Sequence, residues 1–189
     1  MSFRSWCRRW FIKAGSQVSA VVTNKAAKDG DADAQYAMGL LCSVEGSERH
    51  DPQAAADWFQ RSSAQGHVQA KVRLAQILST GEGVSPNREA ALELLRSAAK
   101  SGSAEAQFEL GLSCHRSSVD HREGHHAQSR IEAYSWLKLS ASQGYRGAVA
   151  ACEMLSLTMS LQEVQAAIAM ADTFTPLAPH LAERKLAVA

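Results

Sequence analysis

HVQAKVRLAQILSTGEGVSPNREAALELLRSAAKSG, residues His67 to Gly102, decides the fold. It reads as two amphipathic helices joined by a glycine turn. Ala70, Leu74, Ala75 and Ala91 have counterparts 36 residues upstream at Ala34, Met38, Gly39 and Ala55. The same interval downstream reaches Ala106, Leu110 and Gly111, and a six-residue insertion then delays the next match to Ala133. Self-similarity at this period marks a stack of helical hairpins, each too small to bury its apolar face alone.

Glycine punctuates the pattern. Gly30, Gly66, Gly102 and Gly144 are spaced by 36, 36 and 42 residues. Glycine just past a helix adopts the left-handed conformation that closes the helix end. The expected organisation is therefore an N-terminal segment and capping helix over 1–30, repeats over 31–66, 67–102 and 103–144, a partial repeat with a closing helix over 145–174, and a tail over 175–189. The eighth position of each first helix is small (Gly39, Ala75, Gly111), which lets the second helix approach closely. Trp58, Leu94 and Trp136 share one position in the second helices and are expected to fill the space between hairpins. The fourth unit has Glu153 at the eighth position, so its helices are expected to pack differently. Ser160 with Glu163 forms a capping box before a last helix that should close the stack.

Composition narrows the function classes. Of 189 residues 46% are hydrophobic but only 6% aromatic, as suits closely packed alanine-rich helices. The net charge of +1 and the absence of a basic stripe beyond residue 13 argue against nucleic acid as a partner. No apolar run reaches the roughly 18 residues of a membrane span. Cys42 and Cys114 stand 72 residues apart, the same place in repeats one and three. An intervening repeat keeps their Cα atoms beyond the roughly 7 Å reach of a disulfide. With Cys7 and Cys152 they point to free thiols, a reducing compartment and a cytoplasmic location.

Residues 1–13 carry Arg4, Arg8, Arg9 and Lys13 with no acid, and a helix there would gather Phe3, Trp6 and Trp10 on one face. Three readings stand: a cap over the open end of the array, a peripheral contact with a membrane or partner surface, or a disordered segment. The basic residues interrupt the apolar segment, so a cleaved signal peptide is not expected.

Ala106 to Gly111 (AQFELG), the turn Gly81-Glu82-Gly83-Val84, the pair Ala90-Ala91 and the closing Ala98-Ala99-Lys100-Ser101-Gly102 resemble the Sel-1-like repeat family, a relative of the tetratricopeptide repeat. Repeats one and three depart from it at their turns, Ser43 to Ser47 and Arg116 to Val119. The resemblance implies an all-α, right-handed superhelical solenoid of helix-turn-helix repeats. It implies an adaptor that binds a protein or peptide partner, often in bacterial envelope, secretion or signalling systems, with no catalytic residues and no cofactor.

In tetratricopeptide-like arrays the first helices line the concave face. By register, its residues are Asp33, Tyr36, Leu40 and Ser43, then Gln69, Val72, Gln76 and Ser79, then Glu105, Phe108, Leu112 and His115. This lane has apolar centres and polar edges and would hold a helix or an extended peptide. Tyr36 and Phe108 read equally well as core between repeats. His115, His121, His125 and His126 cluster near Cys114, but their spacing matches no common zinc site, so no metal is expected. Cys114 and His115 are helix neighbours about 100° apart, which is not a nucleophile–base geometry. No pairing of the kinds used in catalysis stands out, and an enzyme is not expected.

Overall fold

The computed structural model describes residues 24–46, 48–119 and 126–176. The expectations for residues 1–13, His121, His125 and the tail beyond 176 fall outside the described residues. The chain divides into two compact units, Met1–Asn87 and Arg88–Ala189. The division falls between the two helices of the second repeat.

In the first unit residues 24–28 end a helix, followed by α1 (Ala32–Ser43), α2 (Pro52–Ala64) and α3 (Val68–Thr80). Each start is fixed locally. Asp31 and Asp51 accept the N–H groups of Ala34 and Ala54, and Pro52 sets the first turn of α2. α1 packs on α2 and α2 on α3, around Met38, Ala55, Phe59, Ala70, Leu74 and Ala75.

The second unit holds α4 (Arg88–Lys100), α5 (Ala104–Val119), α6 (His126–Ser142), α7 (Ala148–Ser156) and α8 (Leu161–Asp172). α5 packs on both α4 and α6, and α6 carries α7 and α8 as well. The capping box is formed: Ser160 Oγ accepts from Glu163 N–H, and Glu163 Oε2 accepts from Ser160 N–H at 2.7 Å. Arg130 of α6 pairs with the same Glu163, which ties the first turn of α8 to the hairpin beneath it. That carboxyl is held below the usual range, first by the Ser160 N–H and then by the guanidinium. Trp136 is met edge-on by Phe174, with ring centroids 5.5 Å apart.

The described residues contain helices and no strand, as the sequence predicts. Gly30, Gly66, Gly102 and Gly144 all have positive φ, from 73° to 102°, and each follows a helix. A side chain at any of them would be strained whatever the space around it.

Close approach of the paired helices is also seen, with one correction. A Cβ added to Gly39 would lie 2.5 Å from the Phe59 ring, and one added to Gly111 would lie 2.7 Å from Leu137 Cγ. Opposite these glycines stand Phe59 and Leu137, each 1% exposed and each one residue beyond the expected tryptophan; Trp136 is buried as well, at 8% exposed, but Trp58 is not. One residue is about 100° around a helix. That turn leaves Trp58 half-buried on the flank, where Arg61 lies 5.0 Å over its ring.

A polar relay also braces the hairpins. In the first unit Gln35 Nε2 donates to the Ala27 carbonyl at 3.1 Å, and Gln65 Nε2 donates to Gln35 Oε1 at 2.8 Å. Ser62 Oγ donates to the Ala32 carbonyl at 2.7 Å. In the second unit Gln107 does the same to Ala99 at 3.2 Å, Gln143 to Gln107 at 2.8 Å, and Ser140 to Ala104 at 2.7 Å. Gln35, Gln107, Ser62 and Ser140 are buried, so these bonds satisfy polar groups that water cannot reach. Repeat two has Lys71, Ala98 and Ser101 at these places and cannot form the relay.

Candidate functional site

The first unit brings α1 and α3 into one neighbourhood. Asp33, Leu40 and Gln69 are exposed, and Tyr36 and Gln76 half-buried. Leu40 adjoins two more exposed apolar residues, Leu41 and Val44. Gln76 Oε1 accepts from Arg73 Nη1 at 3.0 Å. Both line a cavity of about 190 Å³ with Ser43, Thr80 and Glu82, so lane positions from α1 and α3 do meet. The cavity carries one cation and one carboxylate among hydroxyl and amide groups. Such a set can hold a peptide backbone or a polar side chain. Register picked out Ser43 and Gln76 but missed Arg73, Thr80 and Glu82, which lie one step off the counted stripe or in the turn.

Val72 does not belong to this surface. It is 1% exposed and part of the core. A short β-branched side chain ends inside at a register where the longer Tyr36 and Phe108 reach partway out.

Tyr36 stacks on His67 at 4.6 Å between centroids and meets Phe59 at 5.8 Å. His67 Nδ1 accepts from Ala70 N–H at 3.1 Å, capping α3, and Nε2 lies 3.4 Å from Asp33 Oδ1. In the second unit Phe108 meets Tyr145 at 5.2 Å. The two aromatics therefore pack against the residue that opens the following repeat.

Glu105, Phe108, Leu112 and His115 are all half-buried along α5. Glu109 lies beside them. Burial pushes its carboxyl up, the Glu105 charge adds to this, and Arg116 opposes it. Cys114 is buried, and burial with the nearby Glu132 raises its thiol to about 11 against the opposing charge of Arg96. Burial and Asp51 raise the Cys42 thiol too. Thiols held protonated are poor nucleophiles. A second, open cavity of about 490 Å³ lies at the α1–α2 turn, lined by Asn24, Cys42, Glu48, Arg49, His50 and Asp51. Among the described residues no group of three or more His, Cys, Asp or Glu is arranged to hold a metal ion. No helix among them is long and apolar enough to cross a membrane.

The Sel1 repeat model matches residues 32–67, 68–103 and 104–145. No curated protein matches the chain. Among solved structures, a protective antigen of uropathogenic Escherichia coli displaying an SLR fold is similar at 24% identity and a TM-score of 0.71, over 82% of this chain and 32% of that one. A Sel1 repeat protein from Oxalobacter formigenes is similar at 22% identity and a TM-score of 0.58, over 72% of this chain and 59% of that one. The chain thus spans less than two thirds of either relative, and both likenesses concern the fold. With three matched repeats over more than half its length, the hairpin packing and the shared fold, the chain belongs to the Sel1 repeat family.

Proposed function

We propose that this protein is a non-enzymatic scaffold that takes a protein or peptide partner on the faces of its first helices. Sel1 repeat proteins are generally protein-interaction scaffolds, and the reading starts from that membership. The observation that carries it is the α1–α3 surface, where Ser43 of α1 and Arg73, Gln76 and Thr80 of α3 line one cavity, while Leu40 and Leu41 of α1 are exposed. Apolar anchors beside a few fixed polar groups suit peptide recognition. Asp33 and Gln69 extend this surface in the first unit, and Glu105, Phe108, Leu112 and His115 are the proposed contacts in the second.

The test is capture of partners by the wild-type chain and by Leu40→Glu, Gln76→Glu and Glu105→Lys, each first checked for unchanged helicity. A partner held by the wild type and lost by Leu40→Glu or Gln76→Glu supports the reading. Equal capture by all four removes it. Flotation with anionic vesicles, with and without residues 1–13, separates this from attachment through the aromatic and arginine-rich start. Vesicle binding that needs residues 1–13, with no partner dependent on the α1–α3 surface, would favour the membrane role.

A further inference from the structure

We propose that His67 is a proton-gated cap: its neutral imidazole holds the start of α3, and a proton on Nδ1 releases it. Nδ1 lies 3.1 Å from Ala70 N and accepts its N–H. A ring nitrogen accepts only while it carries no proton, so the bound form is the Nε2–H tautomer. Nε2 then points its hydrogen toward Asp33 Oδ1, 3.4 Å away. Among the described residues the other side-chain caps are Asp31, Asp51, Ser103 and Ser160, whose acceptors are oxygens and not a ring nitrogen.

Protonation would set one donor against another at the Ala70 N–H. It would also place a cation where the aligned N–H groups of α3 already present positive charge. The side chain is 17% exposed and lies on Tyr36, so burial penalises the charged ring further. Asp33 works the other way, but its side chain is 61% exposed and its attraction is screened. From α1, Asp31 already accepts from Ala34 N at 2.7 Å, and Tyr36 stacks on the ring. From α3, Lys71 donates its N–H to the His67 carbonyl and carries a like charge one turn along. From α2, Asp57 and Arg61 are exposed.

The bond to the Ala70 N–H thus favours the neutral ring, and burial on Tyr36 acts in the same sense. The cap is present while Nδ1 carries no proton and is lost, on the acid side, once the ring takes one. Asp33 and Tyr36 flank the ring, so its release would rearrange the first-unit surface.

Nuclear magnetic resonance of the full chain tests this without any partner. The expected results are an Nε2–H tautomer at pH 7.5 and, at pH 5.5, a loss of roughly tenfold in Ala70 amide protection after correction for intrinsic exchange. His67→Asn keeps an acceptor that does not titrate, and its Ala70 protection should not change between the two pH values. Asp33→Asn should move the His67 titration midpoint down. An Nδ1–H tautomer, constant Ala70 protection in the wild type, or an equal loss in His67→Asn would overturn the proposal. The tautomer measurement uses the wild type alone and decides the matter should a variant not fold.

Discussion

The α1–α2 hairpin and the α5–α6 hairpin are assembled from the same parts, yet they differ in the residue that locks each one to the next helix. Both oppose a glycine to a large apolar side chain, Gly39 to Phe59 and Gly111 to Leu137. Both donate a buried serine hydroxyl to the carbonyl that opens the first helix. Both run a glutamine pair back to a carbonyl of the preceding helix. The lock, however, is His67 on Tyr36 in one and Tyr145 on Phe108 in the other. These two hairpins share the small–large contact and the relay, although repeat two does without the relay. The lock is free to vary, and in one hairpin it has acquired a titratable ring.

The strongest challenge to that equivalence is the filler. Phe59→Ala should cost about 3–5 kcal/mol in denaturant unfolding, and Leu137→Ala about 2–5 kcal/mol. Phe59→Leu should cost under about 1.5 kcal/mol, because Leu137 already does this task opposite Gly111. If leucine proves as harmful as alanine at residue 59, the two hairpins are not built alike. Next, Gly39→Ala and Gly111→Ala should each cost about 1–3 kcal/mol by overpacking, and pairing each with truncation of its filler should recover part of the loss.

Smaller effects sharpen the comparison. Ser62→Ala and Ser140→Ala should each cost about 1 kcal/mol, with the double variant the sum of the two within roughly 0.5 kcal/mol. Clear non-additivity would mean the two relays communicate. The Arg130–Glu163 tie joins α6 to α8, and it should make the second unit acid-sensitive there. Because the folded Glu163 carboxyl is held below its ordinary value, its stabilisation is present above the unfolded carboxylate range, near about 4.3, and is lost as pH falls through the folded value. Glu163→Gln should cost about 1 kcal/mol at pH 7 and flatten the acid side of the unfolding profile. An unchanged slope would show that the tie adds nothing. Last, Arg61→Ala should cost no more than about 0.5–1 kcal/mol, since its contact with Trp58 is at the surface.

The sequence made the hairpins legible because alanine, glycine and the apolar stripe recur at one interval, and each answers to backbone or packing geometry. It misplaced the filler of the first hairpin, where Phe59 is buried and Trp58 only half-buried, because burial is decided by direction around the helix and not by size; in the second, Trp136 and Leu137 are both buried. It hid the relay for a different reason. Gln35 matches Gln107 and Ser62 matches Ser140, but repeat two carries Lys71 and Ala98 between them, so comparison of adjacent repeats erases the signal. The interaction surface was legible only in part. Register located Gln76 and Ser43 at the cavity, yet Val72 went to the core, because register counts angles and not side-chain length. Arg73, Thr80 and Glu82 come from three-dimensional proximity that no single helix face encodes.

Each relay begins in the helix before the repeat it braces: Gln35 reaches Ala27, and Gln107 reaches Ala99, both eight residues back. The segment that is energetically complete is thus offset from the segment that a sequence alignment counts. A fragment starting at Asp31 would strand the Gln35 amide in a buried place without its acceptor, whereas one starting a few residues before Ala27 would not. Anyone shortening, grafting or recombining these hairpins should cut inside the upstream helix, not at the glycine.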